Sequence, residues 1–309
     1  MKYEIGYGKA GVSVYRTHGT PLVGVTPIPE SPFVGRDNTL MAAEIEIQVR
    51  GQGFLESYTE GDNRLVVATD TMKNFIHATS ASNPAATLEG WLDHVGRAFL
   101  DHYPHMERIS MLGTELPYPA SLVPADDGNG FVASDVLFVR DRNDRSTARL
   151  DLELTADAGV RLTNHACRRE RLQLIKITGS SFADFARDEH TTLPERPDRA
   201  LFTRMDIGWR YGEHADALGA DSARYVASDQ VADLAASVFH HFVSLSIQHL
   251  VHEIGAHVLD RWPQLAEVSF DAQNRTWDPG AISPDDPKVK TYADPRPPIG
   301  RIDLVMRRD

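Results

Sequence analysis

The chain has 309 residues, 41% hydrophobic and 25% charged, a globular composition that argues against disorder. Lys and Arg number 32 against 44 Asp and Glu, and a net charge of -12 is ill suited to general binding of nucleic acid or anionic membrane. Cys167 is the one cysteine, which excludes an intrachain disulfide and any cysteine-rich metal site. The length exceeds one ordinary domain of about 100–200 residues, so two are expected. No run of about 18 apolar residues occurs, so a soluble, cytoplasmic protein without a membrane partner is expected.

In chain order, Tyr3, Ile5, Tyr7, Val12 and Val14 recur at period two and predict a half-buried N-terminal strand. Gly19–Asn38 is rich in Pro and Gly and reads as a long functional or interface loop. Ala43–Val49 alternates cleanly, and Arg64–Ala68 is a short apolar run; both are read as strands. Thr69-Asp70-Thr71 then signals a helix start, with side chains suited to capping. Leu88, Trp91, Leu92, Val95, Phe99 and Tyr103 form one apolar stripe at helical spacing, ended by Pro104. Strands follow near Arg108–Leu112, Phe131–Val139 and Ala148–Leu154. The second half has the same style, with strands at Leu172–Thr178 and Ala200–Tyr211. A helical stripe runs from Val231 to Phe242 and another helix from about Ser244 to Leu259. The last strands lie near Ala266–Phe270 and Gly300–Met306. Two halves of strands flanking helix pairs predict an antiparallel α+β unit present twice, divided as 1–150 and 151–309. Six prolines between Pro279 and Pro298 predict an extended C-terminal arm, about 279–299.

Two motifs are misleading. Gly6-Tyr7-Gly8-Lys9-Ala10-Gly11 matches the dinucleotide fingerprint by letter, yet that fingerprint needs a helix after it and strand alternation continues instead. His252-Glu253-Ile254-Gly255-Ala256-His257 misses the zinc-protease spacing, since its histidines stand at i and i+5 and not on one helix face. No metal site is predicted.

Four other segments point one way together: Tyr7-Gly8-Lys9-Ala10-Gly11-Val12; Val67-Ala68-Thr69-Asp70-Thr71-Met72-Lys73-Asn74; the run from Phe182-Ala183-Asp184-Phe185 through Thr191-Thr192-Leu193 to Asp198-Arg199; and Ile247-Gln248 with Asn274 beyond. In order and spacing this pattern resembles the urate oxidase (uricase) family across nearly the whole chain. The resemblance implies tandem tunnelling-fold (T-fold) domains, each a four-stranded antiparallel sheet with two helices. It also implies a barrel-walled homotetramer with active sites at subunit interfaces, and oxidation of urate by dioxygen and water to 5-hydroxyisourate and hydrogen peroxide. No metal or organic cofactor is implied.

Residue by residue, the resemblance makes Arg199 the substrate clamp, and a planar guanidinium suits a flat anion. On residue type alone Arg199 reads instead as a strand-start arginine paired with Asp198. Gln248 matches the amide that grips the pyrimidine edge, donating and accepting at once. Ile247 matches a position used through its main-chain N–H, and Asp70 joins the substrate-binding set. Phe182, 17 positions before Arg199, matches the ring that stacks on the purine, leaving Phe185 to core packing. Lys9 and Thr69 match the proton-moving end, and Asn274 the amide that holds dioxygen and then water over the ring. Many relatives carry a His two residues after that Asn; this chain has Thr276, a candidate relay substitute that cannot carry positive charge. Two other readings stay open here: a pterin- or purine-handling enzyme of the same fold, which Gln248 in place of Glu disfavours, and a urate-binding relative without catalysis, which Thr276 suggests.

Overall fold

Alternating burial makes the first sheet. In β2 (Leu40–Arg50), Met41, Ala43, Ile45, Ile47 and Val49 are buried at every second position, so one pleated face meets the core, while on the other only the small Ala42 is buried. The computed structural model describes residues 2–157, 159–275 and 277–308. The chain forms two units. The first takes the chain through Pro27, then Phe33–Arg168 and Arg210–Ala227; the second takes Ile28–Pro32, Arg169–Trp209 and everything from Ser228.

In the first unit β1 (Gly6–Thr17) pairs with β2, which pairs with β3 (Arg108–Glu115), which pairs with β6 (Arg145–Leu154), all antiparallel. The short helix α1 (Glu56–Thr59) and the helices α2 (Thr69–Ala81) and α3 (Leu88–His102) lie between β2 and β3 in sequence. Met72, Ile76, Trp91, Leu92 and Phe99 bury against Ile45, Ile47, Met111 and Leu150. Each such side chain contributes about 1.5–3 kcal/mol of transfer free energy. Thr87 caps α3 by accepting from Gly90 N–H, and Trp91 Nε1 donates to Ser80 Oγ at 2.8 Å, fastening α3 to α2.

The second unit orders its strands β7 (Val160–Phe182), β8 (Arg196–Tyr211), β9 (Leu265–Arg275), β12 (Gly300–Arg307); β7 and β8 contribute residues to both units. α5 (Ser228–His241) packs against α6 (Ile247–Arg261), whose buried face, Leu250, Val251, Ile254 and Val258, lies over β9 and β12. The helix α4 (His214–Ala217) belongs to the first unit. The observed class is therefore α+β with antiparallel pairing, as expected. No helix among the described residues is long and apolar enough to cross a membrane.

Several expectations are corrected. Arg64–Ala68 is no strand: Arg64 is held by the Asp62 carboxylate, and Val67 N–H donates to the Tyr7 hydroxyl at 2.8 Å, not to a ladder. A five-residue apolar run lacks the information to tell a strand from a packed loop. Phe131–Val139 does contain a strand, β5 (Phe131–Phe138), but it pairs with β4 (Ala120–Pro124) in a separate hairpin, leaving Leu122, Phe131 and Val136 exposed. The last helix starts at Ile247, because Ser246 adopts extended backbone and caps it. The proline-rich arm is not simply extended: β10 (Pro279–Ile282) pairs with β11 (Lys290–Tyr292). Trp277 stacks on Tyr292 at 4.1 Å and donates to the Ala293 carbonyl, which anchors this hairpin.

Buried His165, paired with the exposed His214, has a definite protonation pattern. Tyr211 N–H donates to His165 Nε2 at 2.9 Å, so that nitrogen is the acceptor and the ring proton sits on Nδ1. It is donated to His214 Nδ1, 2.7 Å away. Burial, then His214 and Arg210, pull His165 down to about 4. An unfolded histidine titrates near 6.5. The stability that this neutral imidazole supports is present above about pH 6.5 and is lost as pH falls toward 4, where the unfolded chain binds the extra proton, at about 1.4 kcal/mol per pH unit. His165→Gln, which keeps an acceptor and a donor, is expected to flatten that limb; urea midpoints at pH 5 and 7 that differ as much as in the parent protein would refute the assignment.

Candidate active site

The first unit carries Lys9, Thr69 and Asp70. Lys9 lies on β1 where the register slips by one residue, Lys9 facing Ile47 and Val12 facing Ile45. The glycines beside it serve this bulge. A Cβ on Gly8 would stand 2.0 Å from the Ile47 carbonyl oxygen, and Gly11 has φ +70, a region costly to residues with a Cβ. The fingerprint-like glycines therefore let β1 press on β2 and bulge at Lys9; this segment is strand and not a phosphate loop. Tyr7, packed edge-on against Phe54, holds Val67 by the hydroxyl bond described above, and so docks the start of α2 beside β1.

That helix start is open. Its N-cap is Ala68, which offers no capping side chain, so the first N–H groups of α2 have no partner within the helix. The helix does start at Thr69, as expected, but Thr69 is exposed and does not cap it. Asp70 turns to Lys73 at 2.5 Å and Asn74 at 3.3 Å. The Lys73 hydrogen bond, with a smaller contribution from Lys9, holds its carboxyl below the usual range, so Asp70 is an anion within the field of Lys9.

The second unit carries Phe182, Arg199, Ile247, Gln248 and Asn274. Phe182 ends β7, and Asp184, at φ +57, turns the chain so that Phe185 folds back on it. The two rings stack at 4.9 Å and 10°, which corrects the assignment of Phe185 to core packing. Arg187 lies over the Phe185 ring at 5.2 Å and Arg199 over the Phe182 ring at 5.7 Å. Sequence reasoning missed this backing ring, although the three-residue spacing of the two phenylalanines carried the signal. Beyond it, Asp188 accepts from His190 N–H and the Thr191 hydroxyl, closing the loop on itself.

Arg199 is not paired with Asp198. Asp198 accepts from Thr178 Oγ1 at 2.8 Å and Gly179 N–H at 2.7 Å. The nearby Arg196 is paired with Asp278 at 2.9 Å. Arg199 Nε is buried and hydrogen-bonded to nothing, and burial, with Arg196 adding to it, lowers its pKa. Asn274 Oδ1, on β9 opposite Gly300 of β12, is a second buried polar atom without a partner. Such groups are costly unless something polar meets them.

α6 presents the third feature. Ser246 accepts from His249 N–H, which leaves the N–H groups of Ile247 and Gln248 free of helix partners at the positive end of the helix. The Ile247 side chain is buried and Gln248 is exposed, so the first acts through its backbone and the second through its amide. Thr276 lies outside the described residues. On α6, His252 and His249 flank Glu253 at 3.5 and 3.9 Å, and His257 Nδ1 faces its own turn. Among the described residues no three His, Cys, Asp or Glu side chains gather as a metal would need.

The uricase family model matches residues 5–150 and 169–303. The chain belongs to the uricase family. It is 48% identical over 274 residues to the uricase of Haloferax volcanii, covering 88% of each protein. It is 45% identical to the uric acid degradation bifunctional protein of Bacillus subtilis over its own full length, but spans only 62% of that relative. The crystal structure of urate oxidase from Bacillus sp. TB-90 superposes with a TM-score of 0.93 at 43% identity, over 98% of this chain and 100% of that one. Uricase membership sets aside the pterin-handling alternative.

Proposed function

We propose that this uricase-family chain oxidises urate with dioxygen and water to 5-hydroxyisourate and hydrogen peroxide, without metal or organic cofactor. The observation that carries the reading is the pair of buried, unpartnered polar atoms, Arg199 Nε and Asn274 Oδ1, on two of the residues that the uricase resemblance assigns to substrate and oxygen. A flat anion resting on Phe182 satisfies the guanidinium, and the Ile247 N–H and the Gln248 amide meet its other edge. Asn274 accepts from a water or hydroperoxide held over the ring. Lys9 and Thr69 move protons while electrons pass from urate to dioxygen and water adds at C5; Asp70 keeps the cationic end balanced. Here the protein supplies orientation and electrostatics. Thr276 takes the third place in the relay through water. In this proposal the two halves are tandem T-fold domains, 1–150 and 151–309. The protein is a cytoplasmic homotetramer whose active sites draw on two chains, with the 279–299 arm against a neighbouring subunit.

The test is incubation of metal-stripped protein with urate in air, following urate absorbance and peroxide together. Equimolar loss and gain, insensitive to chelator, is expected. Urate binding without peroxide would favour a binding protein in which Thr276 has broken the relay.

A further inference from the structure

We propose that Lys176 is a positioning residue of the purine pocket, setting the distance between the stacking ring of Phe182 and the N-terminus of α6. The proposal rests on the reading of Phe182, Ile247 and Gln248 as substrate residues. Lys176 lies on β7, six residues before Phe182. Its ammonium donates to three backbone carbonyls, those of Phe239 at 2.8 Å, Phe242 at 2.9 Å and His240 at 3.3 Å. It also lies 5.3 Å from the centre of the Phe239 ring. These carbonyls belong to the end of α5 and the residue after it, where a helix leaves its last C=O groups unpartnered and concentrates negative potential. The α5 sequence ends in His240-His241 with no glycine to form the common left-handed cap, so a lysine from the strand does this work.

The link after α5 makes the contact matter. Residues 242–246 lead directly into Ile247 and Gln248, and Val243 and Leu245 among them are exposed. Apolar packing of these two does not hold the link in place; hydrogen bonds to its backbone do, with the Phe242 ring set edge-on against His249 at 4.5 Å. Ser181 N–H, one residue before Phe182, donates to the Ser244 carbonyl at 2.7 Å. Lys176 fastens the other end. Two tethers therefore run from the strand that carries the ring to the link that carries the helix N-terminus. The Ser181–Ser244 bond belongs to an isolated parallel bridge between Ser180 and Ser244, whose hydroxyls are both buried and unpartnered, so no side-chain hydrogen bond there replaces a lost tether. Removing the ammonium orphans three carbonyls and frees the link to move relative to Phe182.

Lys176→Met keeps the stem and removes the donors. Urate affinity is measured by calorimetry without oxygen, so that no turnover intervenes, alongside KM and kcat in air and the melting temperature. A weakening of about tenfold in both the anaerobic Kd and KM is expected, as for a small misplacement of binding groups. The kcat at saturation is expected to stay within about twofold, since Lys9 and Thr69 are untouched, and Lys176→Arg is expected to restore much of the affinity. Unchanged Kd with a lowered melting temperature would make Lys176 a helix cap only and overturn the proposal. Should the Met variant not fold, Lys176→Gln, which keeps two donors without charge, carries the same criteria. Parent protein that binds no urate overturns the substrate reading and this proposal with it; parent protein that binds while the variants bind equally well overturns this proposal alone.

Discussion

Lys9→Met is expected to lower kcat for urate oxidation by about two to three orders of magnitude, the scale of a lost acid–base group. Anaerobic urate affinity should change by no more than about threefold, because Phe182, Arg199, Ile247 and Gln248, assigned to grip the purine, and Asp70 are all untouched. The reason lies in β1. Gly8 allows β1 to approach β2 within a distance no side chain tolerates, and the bulge closed by Gly11 gives Lys9 an aim that regular pleating would not. Methionine fills the same volume without a proton to move. Peroxide production within a fewfold of the parent protein would remove Lys9 from the proton path.

Arg199→Met is expected to have opposite effects on binding and stability. Urate binding should weaken by at least about a hundredfold, near 3 kcal/mol, because charge-assisted hydrogen bonds to an anion are lost. Yet the ligand-free protein should be no less stable, and its unfolding free energy higher by about 1 kcal/mol, because a half-buried guanidinium with an orphaned Nε is replaced by an apolar chain. Calorimetric binding and urea unfolding of the same preparation test both signs. A variant that loses stability as well as affinity would show that Arg199 is a structural residue whose partners lie elsewhere.

The candidate site was legible unevenly, for physical reasons. Lys9, Thr69 and Asp70 stand in short motifs of the uricase pattern, and that resemblance gave them roles where residue type alone reads as a solvated lysine and a helix cap. Phe182 opens a motif of its own, whereas Arg199 and Asn274 stand apart from any such run and only the resemblance located them; an orphaned Nε or Oδ1 appears only when the surrounding chain is in place. Phe185 was misassigned because a phenylalanine three residues from another reads as packing until the positive φ of Asp184 is known. Lys176 gave no signal at all: its partners are backbone carbonyls 63 to 66 positions away, and carbonyls are the same at every residue.

By itself the sequence determined which segments form the major strands and helices, since periods of two and 3.6 are properties of the chain alone. β2, α3 and α6 came out of it with boundaries within a few residues. Through the uricase pattern it also assigned candidate roles to Lys9, Thr69, Phe182, Arg199, Gln248 and Asn274. Tertiary structure alone decided that Arg64–Ala68 leaves the sheet to hold Tyr7, that β5 pairs outside the main strand order, and that Asp198 serves Gly179 and not Arg199. Each of these choices is a competition between partners distant in the chain. A local pattern sets what a residue is able to bond, and only the assembled fold sets which partner is within reach.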